Sequence, residues 1–357
     1  MKRSGGSSGQ NIIVALQGAI GDVILSTPLL EGLRLAFPTS KITYLVGSTA
    51  APALENLELI DEILILPDGK KASRWNDLRL IATLLSRRFD LAICLSRMKK
   101  LAFALWLSRT PARLCYTPLR FSWMFTHRVD GEDEVYSRVH RTCYFLAALA
   151  KLGMPQPPQI CLHYVITPQE RERAEHLLRN SGVDLERDVL VAIHPGTSRI
   201  QVEKRRWSSS NFAEVARHVL QQADHKVVLL GGPDEKELAE AFRGELSRGV
   251  IDFINKLSIR ELAAILERCA LLVHNDSMPL HLAVAVGTPV LAIFGYQNPS
   301  LWGPLGRLHR VVRRDIGCSP CLPEFACDRD YECIRRLKPS MVIEILDSML
   351  ERAKAHP

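Results

Sequence analysis

The apolar pattern begins with a short unbroken run, Ile12 to Leu16, partly β-branched, which predicts a buried strand. From Asp22 to Phe37 the apolar positions Val23, Leu29, Leu30, Leu33 and Phe37 recur at helical spacing, and Pro38 ends that helix. Lys41 to Val46 reads as the next strand, followed by Glu62 to Leu66 and Leu91 to Leu95 with helical stretches between them. Strand and helix alternating in this way predict a parallel α/β sheet.

The pattern restarts after a proline-rich break, Pro155 to Pro158, and a charged helix from Pro168 to Asn180. Strands are predicted at Val189 to Ile193, Lys226 to Leu230, Leu271 to His274 and Val290 to Phe294. Helices fall around Asn211 to Gln222, Ile259 to Arg268 and Pro279 to Val286, with a terminal one from Pro339 to Ala355. The simplest account is two α/β halves, 11–165 and 166–337, preceded by a leader, 1–10, and closed by a helical segment, 338–357. At 357 residues the chain suits about two domains, each able to bury its own core.

Composition agrees: 47% hydrophobic and 24% charged residues exclude disordered, collagen-like and coiled-coil classes. The net charge of +7 points to phosphate-bearing partners or an anionic membrane surface without choosing between them. No apolar run reaches a membrane span, and MKRSGGSSGQ lacks the apolar core of a signal peptide, so a cytoplasmic location is expected. That leader is Gly/Ser-rich and expected to be disordered. Nine cysteines, an odd number, argue against a disulfide framework.

Three segments carry candidate chemistry. The turn Gly18-Ala19-Ile20-Gly21-Asp22 joins a strand to a helix, where open parallel sheets place their ligands; it also serves as a tight turn with Asp22 in a capping role. It is no dinucleotide fingerprint, since Ile20 and Val23 stand where glycines are required, and no P-loop occurs. His194-Pro195-Gly196-Thr197-Ser198, followed by Lys204-Arg205-Arg206 and Trp207, offers hydroxyls, backbone N–H groups and cations that suit a diphosphate; a solvated basic loop is the plainer reading. Asn275-Asp276-Ser277-Met278-Pro279-Leu280-His281 opens a helix after an apolar strand. Ser277 can cap that helix, its N-terminus can stabilise an anion, and His281 alone would pass for a core histidine.

Taken in order, these segments with Thr27-Pro28-Leu29 and Gly231-Gly232-Pro233-Asp234 resemble the glycosyltransferase family 9 proteins, the lipopolysaccharide heptosyltransferases and their relatives, over about Asn11 to Glu351. The resemblance implies an α/β GT-B architecture, two Rossmann-like domains facing a cleft, with acceptor bound by the first and nucleotide sugar by the second, and a C-terminal helix packing back toward the first. It implies inverting transfer of a sugar, such as heptose from ADP-heptose, onto a lipopolysaccharide core or related anionic glycolipid without a catalytic metal or other cofactor. Asp22 falls on the family's catalytic base, and Thr197, Ser198, Gly232, Asp276, Ser277 and His281 on donor positions, with Lys204 and Arg205 toward the diphosphate. The family often has lysine where Arg205 stands, and glycine where this chain has Met278.

Arg97 to Arg128 mixes cations with Phe103, Trp106, Phe121, Trp123 and Phe125. Arg97, Lys99, Lys100 and Arg120 are the candidate acceptor contacts, and the segment suits peripheral contact with the inner membrane surface. No nucleic-acid module accompanies it. Cys318, Cys321, Cys327 and Cys333 follow C-x2-C-x5-C-x5-C, a spacing able to hold structural zinc, while Cys94, Cys115, Cys143, Cys161 and Cys269 read as small core residues. Two other functions fit the same architecture: a sugar-nucleotide epimerase and a non-catalytic nucleotide-sugar binder.

Overall fold

The computed structural model describes residues 9–66, 74–117, 119–130, 138–197, 202–235, 242, 249–321 and 327–355. Most of the leader falls outside that set. The chain divides into two compact units, Met1–Val165 and Ile166–Pro357.

In the first unit the strands are β1 (Asn11–Leu16), β2 (Lys41–Gly47), β3 (Glu62–Leu66), β4 (Leu91–Cys94), β5 (Ala112–Tyr116) and β6 (His127–Val129). They form one parallel sheet in the order β3-β2-β1-β4-β5-β6. Its helices are α1 (Ile20–Ala36), α2 (Arg74–Arg87), α3 (Lys99–Leu107) and α4 (Arg141–Lys151). Ile12, Ile13, Val14 and Ala15 are completely buried, as expected of a strand covered on both faces.

The second unit repeats the plan with β7 (Val189–His194), β8 (His225–Leu229), β9 (Val250–Asp252), β10 (Leu271–Asn275), β11 (Val290–Ile293) and β12 (Arg310–Val312), in the order β12-β11-β10-β7-β8-β9. Its helices are α5 (Pro168–Asn180), α6 (Val202–Arg205), α7 (Ser209–Val219), α8 (Ile259–Glu267), α9 (Met278–Val286), α10 (Pro299–Trp302), α11 (Glu332–Arg335) and α12 (Pro339–Ala355). In each unit the strand order reverses beside the first strand: β1 lies between β2 and β4, and β7 between β8 and β10. At such switch points the connections at the strand C-termini diverge and leave a crevice for a ligand.

Strong local signals set the helices of the second unit. Thr167 with Glu170, and Ser258 with Glu261, form reciprocal capping boxes that satisfy two end amides each at the starts of α5 and α8. The same Glu170 pairs with Arg260 at 2.7 Å, joining the two helices. Val342, Leu346, Met349 and Leu350 of α12 belong to the core cluster of the second unit with Val273, Leu291 and Val312. Among the described residues no helix is long and apolar enough to cross a membrane.

The expected elements are present within a residue or two, α1 beginning at Ile20 ahead of Asp22. Strands β5, β6, β9 and β12 were not expected. They have three to five residues and carry Arg113, Arg128, Asp252 or Arg310 within them, so none shows a continuous apolar run.

Candidate active site

In the first unit, β1 ends at Leu16 and the chain turns through Gln17-Gly18-Ala19 into α1, which sets Asp22 in the first helical turn. Ala19, the N-cap, has no side chain to offer; Asp22 reaches back and accepts a hydrogen bond from the Ala19 amide, half of a capping box. Gly18 lies beside this carboxylate, where a Cβ would be in ordinary contact with Asp22 Oδ2. A cavity of about 250 Å³ opens at this end of the sheet, lined in part by Gln17, Asp22, Ser96, Arg97, Arg141 and Tyr144.

Arg141 heads α4, is 2% exposed, and holds its guanidinium 5.3 Å from the Tyr144 ring centroid. Burial raises the Asp22 carboxyl above its ordinary value, and the charge of Arg141 and the Ala19 amide oppose that rise. The result is a carboxylate more basic than one on a surface, within a pocket able to admit a hydroxyl.

Deeper in α1, Pro28 lacks the amide that would reach Ile24 O. Thr27 Oγ1 donates to that carbonyl at 2.7 Å and accepts from the His163 amide at 2.9 Å, while His163 Nε2 lies 3.0 Å from Glu31 Oε2. The helix that carries Asp22 is thereby stitched to the last segment of the unit.

In the second unit the loops after β7 and β10 meet at the switch point. Register pairs His194 with His274, and Thr197 Oγ1 donates to Asp276 O at 3.3 Å. Asn275 binds both ends of the first loop, accepting from the Trp207 amide and donating to Pro195 O and Gly196 O. Gly196 has a steric reason for its identity: a Cβ would fall 1.5 Å from Glu235 Oε1. Glu235 is buried, accepts from the Gly232 amide and lies 3.5 Å from His194 Nε2. Burial lowers His194 despite that neighbour, and lowers His274 far more, with His194 and His281 adding repulsion.

Arg205 donates to Tyr296 Oη through Nε and Nη2 at 3.3 and 3.2 Å, and Lys204 Nζ lies 5.6 Å from the centre of the same ring. Gln297, its amide oriented to satisfy its neighbours, donates to Asp276 Oδ2 at 2.6 Å and accepts from Arg205. Burial raises the Asp276 carboxyl to about 6, against the pull of Arg205. At the start of α9, Ser277 makes no side-chain cap bond, contrary to its expected capping role; its Oγ is buried without a partner among the described residues, and a hydroxyl so placed at a helix N-terminus can donate to an anion. His281 is buried one turn further along the helix.

Thus Thr197, Arg205, Asp276 and Ser277 come together about one loop cluster, with Gly232 tied to it through Glu235. Ser198 lies outside the described residues. Arg97 lines the Asp22 cavity, whereas Lys99, Lys100 and Arg120 are exposed on the surface away from its lining. Sequence reading missed Arg141, Glu235, Tyr296 and Gln297. Glu235 directly follows the Gly231-Gly232-Pro233-Asp234 motif, a usable signal, but an arginine on an amphipathic helix reads as solvated, and Arg141 offered none.

Among the described residues, no group of three or more His, Cys, Asp or Glu is arranged to hold a metal ion, the cysteines of C-x2-C-x5-C-x5-C included. Cys318 is exposed, Cys321 and Cys327 are half-buried, and Cys333 is part of the core. The segment is sewn to the end of β11 instead, Ser319 Oγ donating to Gly295 O and the Cys321 amide to Tyr296 O. Cys94, Cys115 and Cys269 are core residues as expected, but Cys143 and Cys161 are exposed, the first on the outer side of α4 and the second in an extended segment.

Two doubly wound Rossmann-like units, one presenting a buried carboxylate and the other an anion-ready loop cluster at its switch point, define a glycosyltransferase of the GT-B fold. The chain belongs to glycosyltransferase family 9 (heptosyltransferase), whose sequence profile matches residues 78–329. Lipopolysaccharide heptosyltransferase 3 of Escherichia coli is 27% identical over 305 residues, covering 80% of this chain and 83% of that protein. Lipopolysaccharide heptosyltransferase 2 of Salmonella typhimurium is 22% identical over 347 residues, covering 95% and 98%. The crystal structure of a family 9 glycosyl transferase from Veillonella parvula DSM 2008 matches with a TM-score of 0.85 at 24% identity, covering 96% of this chain and 98% of that one.

Proposed function

We propose that this glycosyltransferase moves heptose from ADP-heptose, with inversion and without a catalytic metal, onto a lipopolysaccharide core at the cytoplasmic face of the inner membrane. The observation that carries the reading is the buried Asp22 carboxylate lining its cavity, made more basic by burial; the names of the relatives supply the sugar and the acceptor class.

An acceptor hydroxyl becomes a competent nucleophile only as its proton leaves, and Asp22 is the group to take it. Attack on the anomeric carbon breaks its bond to the diphosphate, whose growing charge needs donors and cations. Thr197, Ser198, Lys204, Arg205 and the Ser277 end of α9 supply them, in the role a divalent ion plays elsewhere. Arg97 at the cavity mouth suits an anionic substituent of the acceptor.

The test is incubation of the purified protein with ADP-heptose, with and without a lipid-oligosaccharide acceptor, in chelator and in magnesium. Heptose should appear on the acceptor at the same rate in both media. Epimerised donor in the absence of acceptor would replace this reading with an epimerase. A requirement for magnesium without loss of fold would overturn metal independence.

A further inference from the structure

We propose that the outer face of α3 and the adjoining turn Ser122–Met124 form a bilayer-docking surface, with Phe103, Trp106 and Trp123 entering the headgroup boundary of an anionic membrane. This deepens the reading above, in which the acceptor is a membrane glycolipid.

The three rings form one exposed cluster. Phe103 stacks on Trp106 with centroids 5.9 Å apart, and Trp106 meets Trp123 edge-on at 5.8 Å. Their exposures are 42%, 38% and 62%. Large apolar side chains gathered on one patch, unlike apolar residues scattered singly, mark an interaction surface. α3 is apolar on both sides: Leu101, Ala102, Ala104 and Leu105 are buried in the unit, while Phe103 and Trp106 line the opposite side one turn apart. A helix apolar all round has a second environment to satisfy.

The charges identify that environment. From Leu91 to Val129 the chain carries Arg97, Lys99, Lys100, Arg109, Arg113, Arg120 and Arg128 and no Asp or Glu. The whole net charge of +7 belongs to 1–165, because 166–357 has 26 Lys+Arg against 26 Asp+Glu. Lys99 and Lys100 sit in the first turn of α3, which has no acidic residue and no side-chain cap. Cations at a helix N-terminus oppose the helix dipole and gain nothing from it. Exposed tryptophans on a segment rich in cations and free of acidic residues match the interfacial layer of an anionic bilayer, where an indole spans the apolar–polar boundary. A second copy of the chain would instead bring the same cations face to face across a two-fold axis.

The test is co-sedimentation of the full chain with phosphatidylglycerol–phosphatidylcholine vesicles and with pure phosphatidylcholine vesicles, with neither sugar donor nor acceptor present. Failure of the heptosyl-transfer reading therefore cannot change the result. The wild type should partition onto the anionic vesicles only. Trp123→Ala, at a position exposed enough to leave melting unchanged, should lower the partition coefficient on the order of tenfold. The triple variant Lys99→Gln, Lys100→Gln, Arg120→Gln should lower it about fivefold per charge. On a water-soluble acceptor, Trp123→Ala should retain wild-type turnover. Wild-type partitioning by Trp123→Ala, or no binding of the wild type to anionic vesicles, would overturn the proposal. So would a dimer dissolved by Trp123→Ala, or tighter binding to a single-stranded oligonucleotide than to the vesicles.

Discussion

Trp207 is held by Asn275: its amide donates to Asn275 Oδ1 at 3.0 Å, and Nδ2 of the same side chain donates to Pro195 O at 2.8 Å. A single buried amide thus spaces β7's outgoing loop from the helix that follows it. Asn275→Ala leaves the Trp207 amide and the Pro195 carbonyl unsatisfied inside the protein, and should cost about 2–4 kcal/mol. Urea denaturation measures this, and a midpoint equal to wild type would show that the loop stands without Asn275. Affinity for a nucleoside diphosphate should fall in the same variant.

Asp22→Asn keeps the shape of the side chain and loses the proton acceptor. Turnover should drop by about 10²–10⁴-fold, with nucleotide affinity nearly unchanged by calorimetry. In the wild type the raised Asp22 carboxyl places the acid limb of the rate profile above that of an ordinary aspartate, because only the ionised form is a base. Arg141→Gln removes an opposing positive charge and should move that limb to still higher pH. An unmoved limb would separate the two residues functionally.

Lys204 and Arg205 should be told apart by nucleoside against nucleoside diphosphate binding. Loss of a charge-assisted contact to phosphate weakens the diphosphate by roughly 10- to 150-fold and leaves the nucleoside alone. Arg205 is already engaged by Tyr296 and Gln297, so Arg205→Ala should also loosen Asp276, whereas Lys204→Ala should not. Equal diphosphate affinities across wild type and both variants would return the cluster to an ordinary solvated face.

Asp276 makes stability of the second unit depend on pH. Its carboxyl is raised to about 6 in the fold from an ordinary 3.8, so the folded state holds the proton more tightly than the unfolded chain. That contribution is fully present below about pH 3.8 and is lost as pH rises through about 6. Asp276→Asn carries no such titration, so its stability relative to wild type should rise by on the order of 3 kcal/mol from pH 3.5 to 7. Denaturation curves at both values give the double difference; a constant difference would mean that Arg205 and Gln297 fully compensate the burial.

Much of this architecture was legible because central parallel strands are buried on both faces and write themselves as unbroken apolar runs, as at Ile12–Leu16 and Leu271–His274. The short edge strands β6, β9 and β12 were not, because three residues such as His127–Val129 need no apolar run to pair along one side of a sheet. The site divided in the same way. Asp22, Thr197 and Asp276 follow strands and stand beside turn residues, so local order finds them. Glu235 and Arg141 enter the site from neighbouring connections, and only tertiary packing brings them there. Of the two roles expected of Ser277, the cap is not made, since its hydroxyl has no partner among the described residues.

The proline inside α1 reaches beyond its own helix. Because Thr27 covers the carbonyl that Pro28 leaves open and also takes the His163 amide, the last segment of the first unit is riveted to the helix that carries Asp22. Glu31 grips the His163 ring as a second rivet. The base is thereby anchored, through its helix, to the far end of its own unit's chain.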